Sequence, residues 1–330
     1  MEVLVFLQWP EKCFRANADD LKYLRSLLRG RAKVVQAKTE RSFLAALPRA
    51  THVITWHFKS EWYAHAPKLK LVATPAAGRE LVDPPPSVVC SRSLAPAVHH
   101  GGFHGAIISE TVLAFVLAYA HGFFASEPLW PRSLRAEKTM DVAGTRAVII
   151  GYGRIGKAIA ARLSDFGVSV RGLSHSECDL LRTRCKVRGA GCRSALRALH
   201  STLCSADWLI LALPSDTGTD DFLDARLISM LSKKCVVVNV GRGNAVDERA
   251  LLSALRSGRI AAAYLDVFKH EPTVLAKHVA KLSKAERKYD IAAMSAAELP
   301  RNLIRTPHGS AFSPGYIKAA FKELKNELLI

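Results

Sequence analysis

The sequence has no long apolar run. Its best candidate, Val112–Ala120, is about half the roughly 20 residues that a membrane span needs. The N-terminal segment Met1–Leu7 has no basic residue, and its apolar part is too short for a secretory signal. We therefore expect a cytoplasmic protein without a membrane partner.

Cysteine pairs of the CxxC type are also missing. The seven cysteines are odd in number and scattered, which is typical of a reduced, intracellular protein. Cys178, Cys185 and Cys192 recur near His175, but the gaps between them are longer than the two to four residues usual between zinc ligands. We predict no metal site.

Acidic residues are few. The 29 Asp and Glu stand against 47 Lys and Arg, which leaves a net charge of +18 and a pI near 9.8. Such a balance fits a nucleic acid, an acidic membrane surface or a phosphorylated ligand as partner, and it fits a generally basic proteome equally well. The net charge does not decide among these.

The length of 330 residues predicts about two domains, and the 49% hydrophobic content excludes wholesale disorder. In the first hundred residues, apolar strands alternate with helical segments, which indicates a parallel α/β unit. The predicted strands are Val3–Leu7, Val34–Gln36, Val53–Trp56, Leu69–Thr74 and Val88–Cys90, and the predicted helices are Asp19–Leu28 and Ser42–Ala46.

The second half begins with a charge-poor helix, Ser109–His121, which we expect to be buried between domains or subunits. A second α/β series and a closing helix, Ile317–Leu329, follow it. The charged stretch Thr273–Leu299 indicates a solvated insertion. The strands predicted in this half are Ala147–Gly151, Val168–Leu173, Trp208–Pro214, Cys235–Gly241, Ala262–Val267 and Asn302–Arg305.

A glycine-rich motif connects one of these strands to a helix. Gly151-Tyr152-Gly153-Arg154-Ile155-Gly156 follows the apolar run Ala147–Ile150 and precedes the helical segment Lys157–Leu163. In that context GxGxxG predicts a dinucleotide site, because glycines permit the tight turn and a helix N-terminus offers free N–H groups to a pyrophosphate. Arg154 would add a cation near the phosphates.

The end of the next strand normally supplies an acid that binds the adenosine ribose. Here the strand ends in Ser174-His175-Ser176, so a 2′-phosphate is not excluded. The basic residues that would accommodate a phosphate are Arg182, Arg184, Lys186 and Arg188, which fit an exposed loop equally well. The cofactor is therefore NAD(H) or NADP(H), and the sequence does not choose between them.

Three polar segments follow strands in the second half: Asn239–Gly243, Asp266–Pro272 and Thr306–Gly309. Open α/β sheets bind ligands at the carboxyl ends of their strands. The segments contribute an Arg, a Glu and a His, the residue types that bind a carboxylate and transfer a proton. They predict an acid/base site beside the dinucleotide.

The whole series resembles the D-isomer-specific 2-hydroxyacid dehydrogenases. The match covers nearly the full length and is carried by Leu69–Val72, Ala76–Gly78, Gly151–Gly156, Leu213–Pro214, Asn239–Gly243, Asp266–Pro272 and Thr306–His308. It implies an α/β fold of two Rossmann-like domains, with doubly wound parallel sheets and an active-site cleft between the domains. It also implies a catalytic domain over residues 1–102 plus 310–330, a dinucleotide-binding domain over 103–309, and a homodimer formed through the cofactor domains.

The resemblance assigns roles to single residues. Arg242 resembles the arginine that binds the substrate carboxylate, His308 the catalytic acid/base and Glu271 its carboxylate partner. The backbone N–H groups of Ala77 and Gly78 resemble the carboxylate cradle. The implied cofactor contacts are Gly151, Gly153, Arg154, Ile155, Gly156, Ser174, Pro214, Val240 and Asp266, the last of them at the nicotinamide amide.

Two further features depart from the family pattern. The turn after Gly78 reads Arg79-Glu80-Leu81, where the family commonly has an acidic residue and Asn. The interval between Glu271 and His308 is longer than usual, as an insertion would make it. Neither departure removes a catalytic group.

The implied activity is reversible reduction of a short 2-keto acid to the D-2-hydroxy acid. Pyruvate and D-lactate are the first expectation, because Trp56, Phe58 and Phe103 would suit a methyl-accepting pocket. Glyoxylate and hydroxypyruvate stay open as alternatives. So does a dinucleotide-sensing, corepressor-like binding protein, which the basic charge mildly favours, although a nucleic-acid partner is not expected.

Overall fold

The computed structural model describes residues 1–79, 81–86, 96–124, 139–182, 190–271 and 289–329. It divides into two compact units, of which unit 1 is Met1–His104 with Ala311–Ile330 and unit 2 is Gly105–Ser310. The strand predicted at Val88–Cys90 and the basic residues at 184, 186 and 188 lie outside the described residues, as does most of the stretch 273–299.

Unit 1 contains a parallel sheet of five strands in the order β2-β1-β3-β4-β5. The strands are Glu2–Phe6 (β1), Lys33–Gln36 (β2), His52–Thr55 (β3), Leu71–Thr74 (β4) and Ala97–His100 (β5). Ala18–Leu28 (α1) and Glu40–Ala46 (α2) are its first helices, each with a capping box. The predicted parallel α/β unit is confirmed, and β5 is a strand that the sequence did not indicate.

The last helix of the chain completes unit 1. Tyr316–Leu324 (α9) packs against α1 and buries Phe321 and Leu324. Both carboxylate oxygens of Glu323 accept a hydrogen bond from the backbone N–H of Gly102, at 2.9 and 3.0 Å. The core of unit 1 therefore needs residues from both ends of the described chain.

Unit 2 contains a parallel sheet of six strands in the order β11-β10-β9-β8-β6-β7. The strands are Arg146–Ile150 (β6), Ser169–Leu173 (β7), Trp208–Leu211 (β8), Val236–Asn239 (β9), Ala262–Leu265 (β10) and Leu303–Arg305 (β11). Every residue of β8, β9 and β10 is buried, and all are apolar except Asn239 at the end of β9, as expected for a parallel sheet covered on both faces. The predicted fold class, α/β with two parallel sheets, is confirmed.

Seven helices lie between and before these strands in the described residues. They are His104–Ala120 (α3), Arg154–Asp165 (α4), His175–Arg182 (α5), Ala190–Cys204 (α6), Ala225–Met230 (α7) and Glu248–Arg256 (α8), together with the short 3-10 helix Gly243–Ala245. α3 begins five residues before the predicted start at Ser109. Its side chains Phe115 and Tyr119 pack on Tyr264 and Trp208 of the sheet, so much of its apolar surface is buried within unit 2.

The carboxyl ends of the strands in unit 2 are in register. Ile150 of β6 lies opposite Leu173 of β7 and Leu211 of β8, so the loops after these three strands start side by side. On the other half of the sheet, Leu265 of β10 lies opposite Asn239 and Arg305. The predicted glycine motif and the three polar segments therefore all leave the same edge of one sheet.

Candidate active site

The glycine loop after β6 has the geometry of a phosphate-binding turn. Gly151 has φ +94°, which favours glycine, and a Cβ there would lie 2.5 Å from the carbonyl oxygen of Ala212. A Cβ on Gly156 would lie 2.3 Å from the carbonyl oxygen of Gly151, so this glycine permits α4 to approach the strand. A Cβ on Gly153 would meet nothing within 4 Å, which leaves room above the loop.

The N-terminus of α4 also fits an anionic ligand. Gly153 is the N-cap residue, and no side chain caps the helix. The first N–H groups of a helix lack partners inside the helix and attract anions. The space above Gly153 and this helix end together fit the pyrophosphate of a dinucleotide.

This loop lies where the strand order reverses. The chain passes from β6 to β7 on one side and then crosses to β8 on the other, which makes the edge between β6 and β8 a topological switch point. Gly151 and Ala212 bring the loops after these two strands into contact. Pro214 follows in the loop after β8, and its carbonyl oxygen accepts a hydrogen bond from Thr219 Oγ1 at 2.8 Å.

A carboxylate that the sequence analysis missed lies beside Ser174. Glu177 Oε2 accepts hydrogen bonds from the backbone N–H and the hydroxyl of Ser174, both at 2.8 Å. Glu177 Oε1 accepts one from the guanidinium of Arg171, also at 2.8 Å. The signal was present in the sequence, because Ser174-x-x-Glu177 has the spacing of a capping box at the start of α5.

Arg242 follows β9 on a loop that a buried amide holds. The side chain of Asn239, which is fully buried, accepts a hydrogen bond from the N–H of Gly241 and donates one to the carbonyl oxygen of Arg242, both at 3.1 Å. The Arg242 side chain is half-buried. Val240, another predicted cofactor contact, is 3% exposed, and its backbone N–H donates to the carbonyl oxygen of Leu211 at 3.1 Å.

Asp266 holds the loop that carries His308. Its buried carboxylate accepts hydrogen bonds from the Thr306 hydroxyl at 2.6 Å, the Gly309 N–H at 2.8 Å and the Ser310 N–H at 2.9 Å. The backbone oxygen of Asp266 accepts a fourth from the N–H of His308. His308 has φ +51°, a left-handed conformation that is costly for a non-glycine residue, and these bonds stabilise it.

His308 and Glu271 form the hydrogen bond that the sequence predicts. Nδ1 of the imidazole lies 2.6 Å from Oε2 of the carboxylate, and the two side chains are 43% and 28% exposed. Burial alone would lower the pKa of His308, but the hydrogen bond and charge of Glu271, helped by Asp266, outweigh it and leave the pKa above its usual value. Arg242 opposes this increase, which places its charge within electrostatic range of the imidazole.

Ala77 and Gly78 lie in unit 1, on the loop after β4. The loop is held by Gly101, whose N–H donates to the carbonyl oxygen of Ala76 at 2.9 Å, and by His100, whose Nδ1 lies 3.1 Å from the carbonyl oxygen of Gly78. Ala77 is exposed, so its backbone is accessible from solvent. The prediction that these two residues form a carboxylate cradle stays a prediction.

The aromatic residues expected around a substrate methyl group lie mostly in the core of unit 1. Phe58 is 1% exposed and packs against Trp62 and Tyr63, so its predicted place in a pocket is wrong. Trp56 is 4% exposed. Phe103 is half-buried against the ring of Tyr316.

Four cysteines are free thiols: Cys13, Cys178, Cys204 and Cys235. Cys178 is buried, and burial raises its pKa to about 11, whereas the side chains of Cys185 and Cys192 lie outside the described residues. Across the part of the chain that the structure describes, no three potential metal ligands cluster. No helix in that part has the length and apolar character needed to cross a membrane.

The family model described as "D-isomer specific 2-hydroxyacid dehydrogenase, NAD binding domain" matches residues 118–308, more than half of the chain. The chain belongs to this dehydrogenase family. The matched region contains the glycine loop, Ser174, Arg242, Asp266, Glu271 and His308.

Curated relatives in the dehydrogenase family have different names. D-3-phosphoglycerate dehydrogenase of Mycobacterium leprae is 30% identical over 237 residues, which are 69% of this chain and 43% of the relative. Glyoxylate reductase of Thermococcus kodakarensis is 30% identical over 194 residues, 53% of this chain and 56% of the relative. The chain thus spans about half the length of these two relatives.

Solved structures of the dehydrogenase family share the fold. An NAD-complexed D-isomer specific 2-hydroxyacid dehydrogenase from Lactobacillus delbrueckii ssp. bulgaricus aligns with a TM-score of 0.71 and 15% identity, over 100% of this chain and 96% of that one. A family member from Xanthobacter autotrophicus Py2, in complex with NADPH and MES, aligns with a TM-score of 0.67 and 24% identity. The alignment covers 98% of this chain and 94% of that one. At these identities the alignments support the two-domain fold with a Rossmann NAD-binding domain.

Proposed function

We propose that the chain catalyses reversible hydride transfer between NAD(P)H and a short 2-keto acid, with the D-2-hydroxy acid as product. The observation that carries this proposal is the 2.6 Å hydrogen bond between His308 and Glu271. The pair leaves the same sheet edge as a glycine loop that fits a dinucleotide. A dinucleotide site together with a positioned acid is what ketone reduction requires.

The nicotinamide supplies the hydride when the cofactor is bound. His308 donates a proton from Nε2 to the keto oxygen, because Nδ1 is held by Glu271, and removes the hydroxyl proton in the reverse direction. Glu271 fixes the orientation of the imidazole and stabilises its charged form. Arg242 binds the substrate carboxylate with its planar fork and polarises the carbonyl group.

The cofactor contacts are proposed on the basis of position along the sheet edge. The glycine loop and the N-terminus of α4 take the pyrophosphate, and Ser174 lies at the adenosine ribose. Asp266 is proposed to bind the carboxamide of the nicotinamide in addition to holding the loop that carries His308. The full set is Gly151, Gly153, Arg154, Ile155, Gly156, Ser174, Pro214, Val240 and Asp266.

The domain roles follow from the same proposal. Residues 1–102 plus 310–330 form the catalytic domain, where the backbone of Ala77 and Gly78 receives the carboxylate, and 103–309 form the dinucleotide-binding domain. The limits of the two compact units, at 104/105 and 310/311, support this division.

A cytoplasmic homodimer formed through the dinucleotide-binding domains completes the proposal. Large apolar side chains are exposed at the end of α3 and before β6: Phe123 is 61% exposed, Phe124 40% and Met140 37%. Exposed apolar side chains of this size are typical of surfaces that bind another protein chain. They support an interface between copies of this unit.

Pyruvate and D-lactate are the first substrates proposed, with glyoxylate and hydroxypyruvate as alternatives. Among relatives, the names include glyoxylate reductase and D-3-phosphoglycerate dehydrogenase, and a solved neighbour from Aquifex aeolicus is a D-lactate dehydrogenase complexed with NAD and lactic acid. All of these substrates are 2-keto or 2-hydroxy acids, which is the class that Arg242 and His308 suit.

The deciding experiment is a matrix of substrates against cofactors. Pyruvate, glyoxylate and hydroxypyruvate are each tested with NADH and NADPH, and D-lactate and D-3-phosphoglycerate with the oxidised cofactors. We expect turnover of at least one pair, and we expect Arg242→Lys and His308→Gln to lower kcat/KM by about 100-fold or more. The matched controls are Arg256→Lys and His121→Gln, because both residues are exposed and lie outside the site.

Two results would overturn the proposal. The absence of turnover for every pair, together with measurable cofactor binding, would indicate a dinucleotide-sensing binding protein instead of an enzyme. Near-wild-type turnover in the Arg242 or His308 variants would refute the roles assigned to these residues.

A further inference from the structure

In the proposed dinucleotide site, the carboxyl end of β7 is the position that faces the adenosine ribose of the cofactor. In Rossmann domains, an acidic residue about twenty positions after the first glycine binds the ribose hydroxyls, and an arginine there accommodates a 2′-phosphate. The residue that directly follows β7 is Ser174, which has no charge. Judged from residue 174 alone, the chain would discriminate poorly between NAD(H) and NADP(H).

The structure places an acidic side chain beside Ser174 from a different residue. Glu177, in the first turn of α5, extends back over the strand end and accepts hydrogen bonds from the N–H and hydroxyl of Ser174 at 2.8 Å. These backbone and side-chain bonds, together with the Arg171 guanidinium, lower the pKa of Glu177, so its carboxylate is ionised at neutral pH. The charge missing from residue 174 is thus present within hydrogen-bond distance of it.

Among the residues that the structure describes, the guanidinium that contacts Glu177 is already paired with it. Arg171, on β7, forms an ion pair with Glu177 at 2.8 Å, and the two side chains are 49% and 30% exposed. A guanidinium that binds a carboxylate in this way is oriented toward that carboxylate and its charge is offset. A 2′-phosphate placed near Ser174 would therefore meet the negative charge of Glu177, while the guanidinium of Arg171 is already paired with that carboxylate.

We propose that Glu177 is the residue that sets the cofactor preference, and that it makes the chain select NAD(H), with free ribose hydroxyls, over NADP(H). The inference rests on the proposed dinucleotide site and names the cofactor for it. Removing the charge of Glu177 both ends the repulsion of a phosphate and releases Arg171 to bind it.

The test measures binding of the adenosine half alone, so it does not depend on turnover. ADP and adenosine 2′,5′-bisphosphate are titrated into the full chain by isothermal calorimetry. We expect the wild type to bind ADP more tightly. In Glu177→Gln, which keeps an acceptor for Ser174, we expect the affinity for the bisphosphate relative to ADP to rise about tenfold.

Two more variants test which charges cause the expected change in relative affinity. Asp179→Asn removes a carboxylate that lies two residues further along α5 and pairs with His175, and we expect the wild-type ratio. In the double variant Glu177→Gln with Arg171→Gln, the rise in affinity for the bisphosphate relative to ADP should disappear. The guanidinium that Glu177→Gln would free to bind the phosphate is absent from this variant. Circular dichroism melting confirms that each variant is folded.

A wild type that prefers the bisphosphate, or a ratio unchanged in Glu177→Gln, would overturn the inference. Persistence of the gain in the double variant would overturn the role given to Arg171. Failure of the dehydrogenase proposal itself has a different signature, because ADP binding would then remain while no substrate is turned over. Binding of neither nucleotide would overturn both.

Discussion

At the scale of single residues, buried polar side chains hold the loops that carry Arg242 and His308, the residues to which we assign catalytic roles. Asn239 fixes the backbone on both sides of Arg242, and Asp266 fixes the loop around His308. Each holding residue is the last of a strand or directly follows one. Arg242 and His308 are therefore attached to the sheet through short loops that these hydrogen bonds hold.

The raised pKa of His308 gives a pH prediction. In the proposed reaction, reduction needs the protonated imidazole of His308. The rate of reduction should therefore fall as the pH rises through the pKa of His308, and the rate of oxidation should show the opposite dependence. Glu271 contributes both the hydrogen bond and the largest charge effect that raise this pKa. In Glu271→Gln we expect the alkaline limb of kcat/KM for reduction to move to lower pH, because the hydrogen bond and charge that raise the pKa of His308 are removed.

The measurement is a pH profile of kcat/KM between pH 5 and 9, with Glu110→Gln as control. Glu110 is an exposed glutamate of α3, and its ion pair with Arg162 lies outside the site. An alkaline limb that stays in place in Glu271→Gln would show that Glu271 does not set the protonation of His308.

At the scale of helices and strands, most strands of the two sheets could be predicted from the sequence. Buried parallel strands are short apolar runs between glycines and polar turns, so the sequence itself marks them. Val236–Asn239 lies inside its predicted range, and Ser169–Leu173 differs by one residue. Strand Ala97–His100 was missed because two of its four residues are histidines, and only its pairing with β4 makes it a strand.

The start of α3 could not be predicted for a related reason. Ser109-Glu110 looks like a helix start, yet the helix begins at His104, whose Nε2 lies 2.7 Å from the hydroxyl of Tyr316. A hydrogen bond across more than two hundred residues leaves no local signal. The same limit applies to Glu177, whose capping spacing is visible in the sequence while its ion pair with Arg171 is not.

Glu248 joins separate elements of unit 2. It begins α8, and its buried carboxylate accepts hydrogen bonds from the N–H of Lys269 and the N–H of Ile291, both at 3.0 Å. Burial raises its pKa, and the two backbone donors oppose that increase. One side chain therefore holds the backbone at two positions, 269 and 291, that are 22 residues apart in the sequence.

Removing this carboxylate should destabilise the protein. Glu248→Ala leaves the buried N–H of Ile291 and the part-buried N–H of Lys269 without their acceptor, which predicts a loss of about 2–4 kcal/mol in the free energy of unfolding. Glu110→Ala, which removes an exposed carboxylate, should cost under about 1 kcal/mol. Urea denaturation of both variants measures the difference, and equal midpoints would contradict the role given to Glu248.

At the scale of the whole molecule, unit 1 is built from two separate parts of the chain. The side chain of Phe321 on α9 is fully buried, whereas Lys322 beside it is exposed. Phe321→Ala should lower the free energy of unfolding by about 3–5 kcal/mol, and Lys322→Ala should leave it nearly unchanged. Thermal unfolding followed by circular dichroism tests this pair, and similar melting temperatures would refute a core role for α9.

The division of unit 1 also constrains the order in which the protein folds during synthesis. Residues 105–310 are continuous, so the ribosome has made all of unit 2 before it makes α9. Domains generally fold as units and from the N-terminus onward. The first part of unit 1 is an exception, because it is made before unit 2 and can complete its core only after unit 2 has been made. Until α9 is made, the apolar face of α1 that α9 covers lacks this partner.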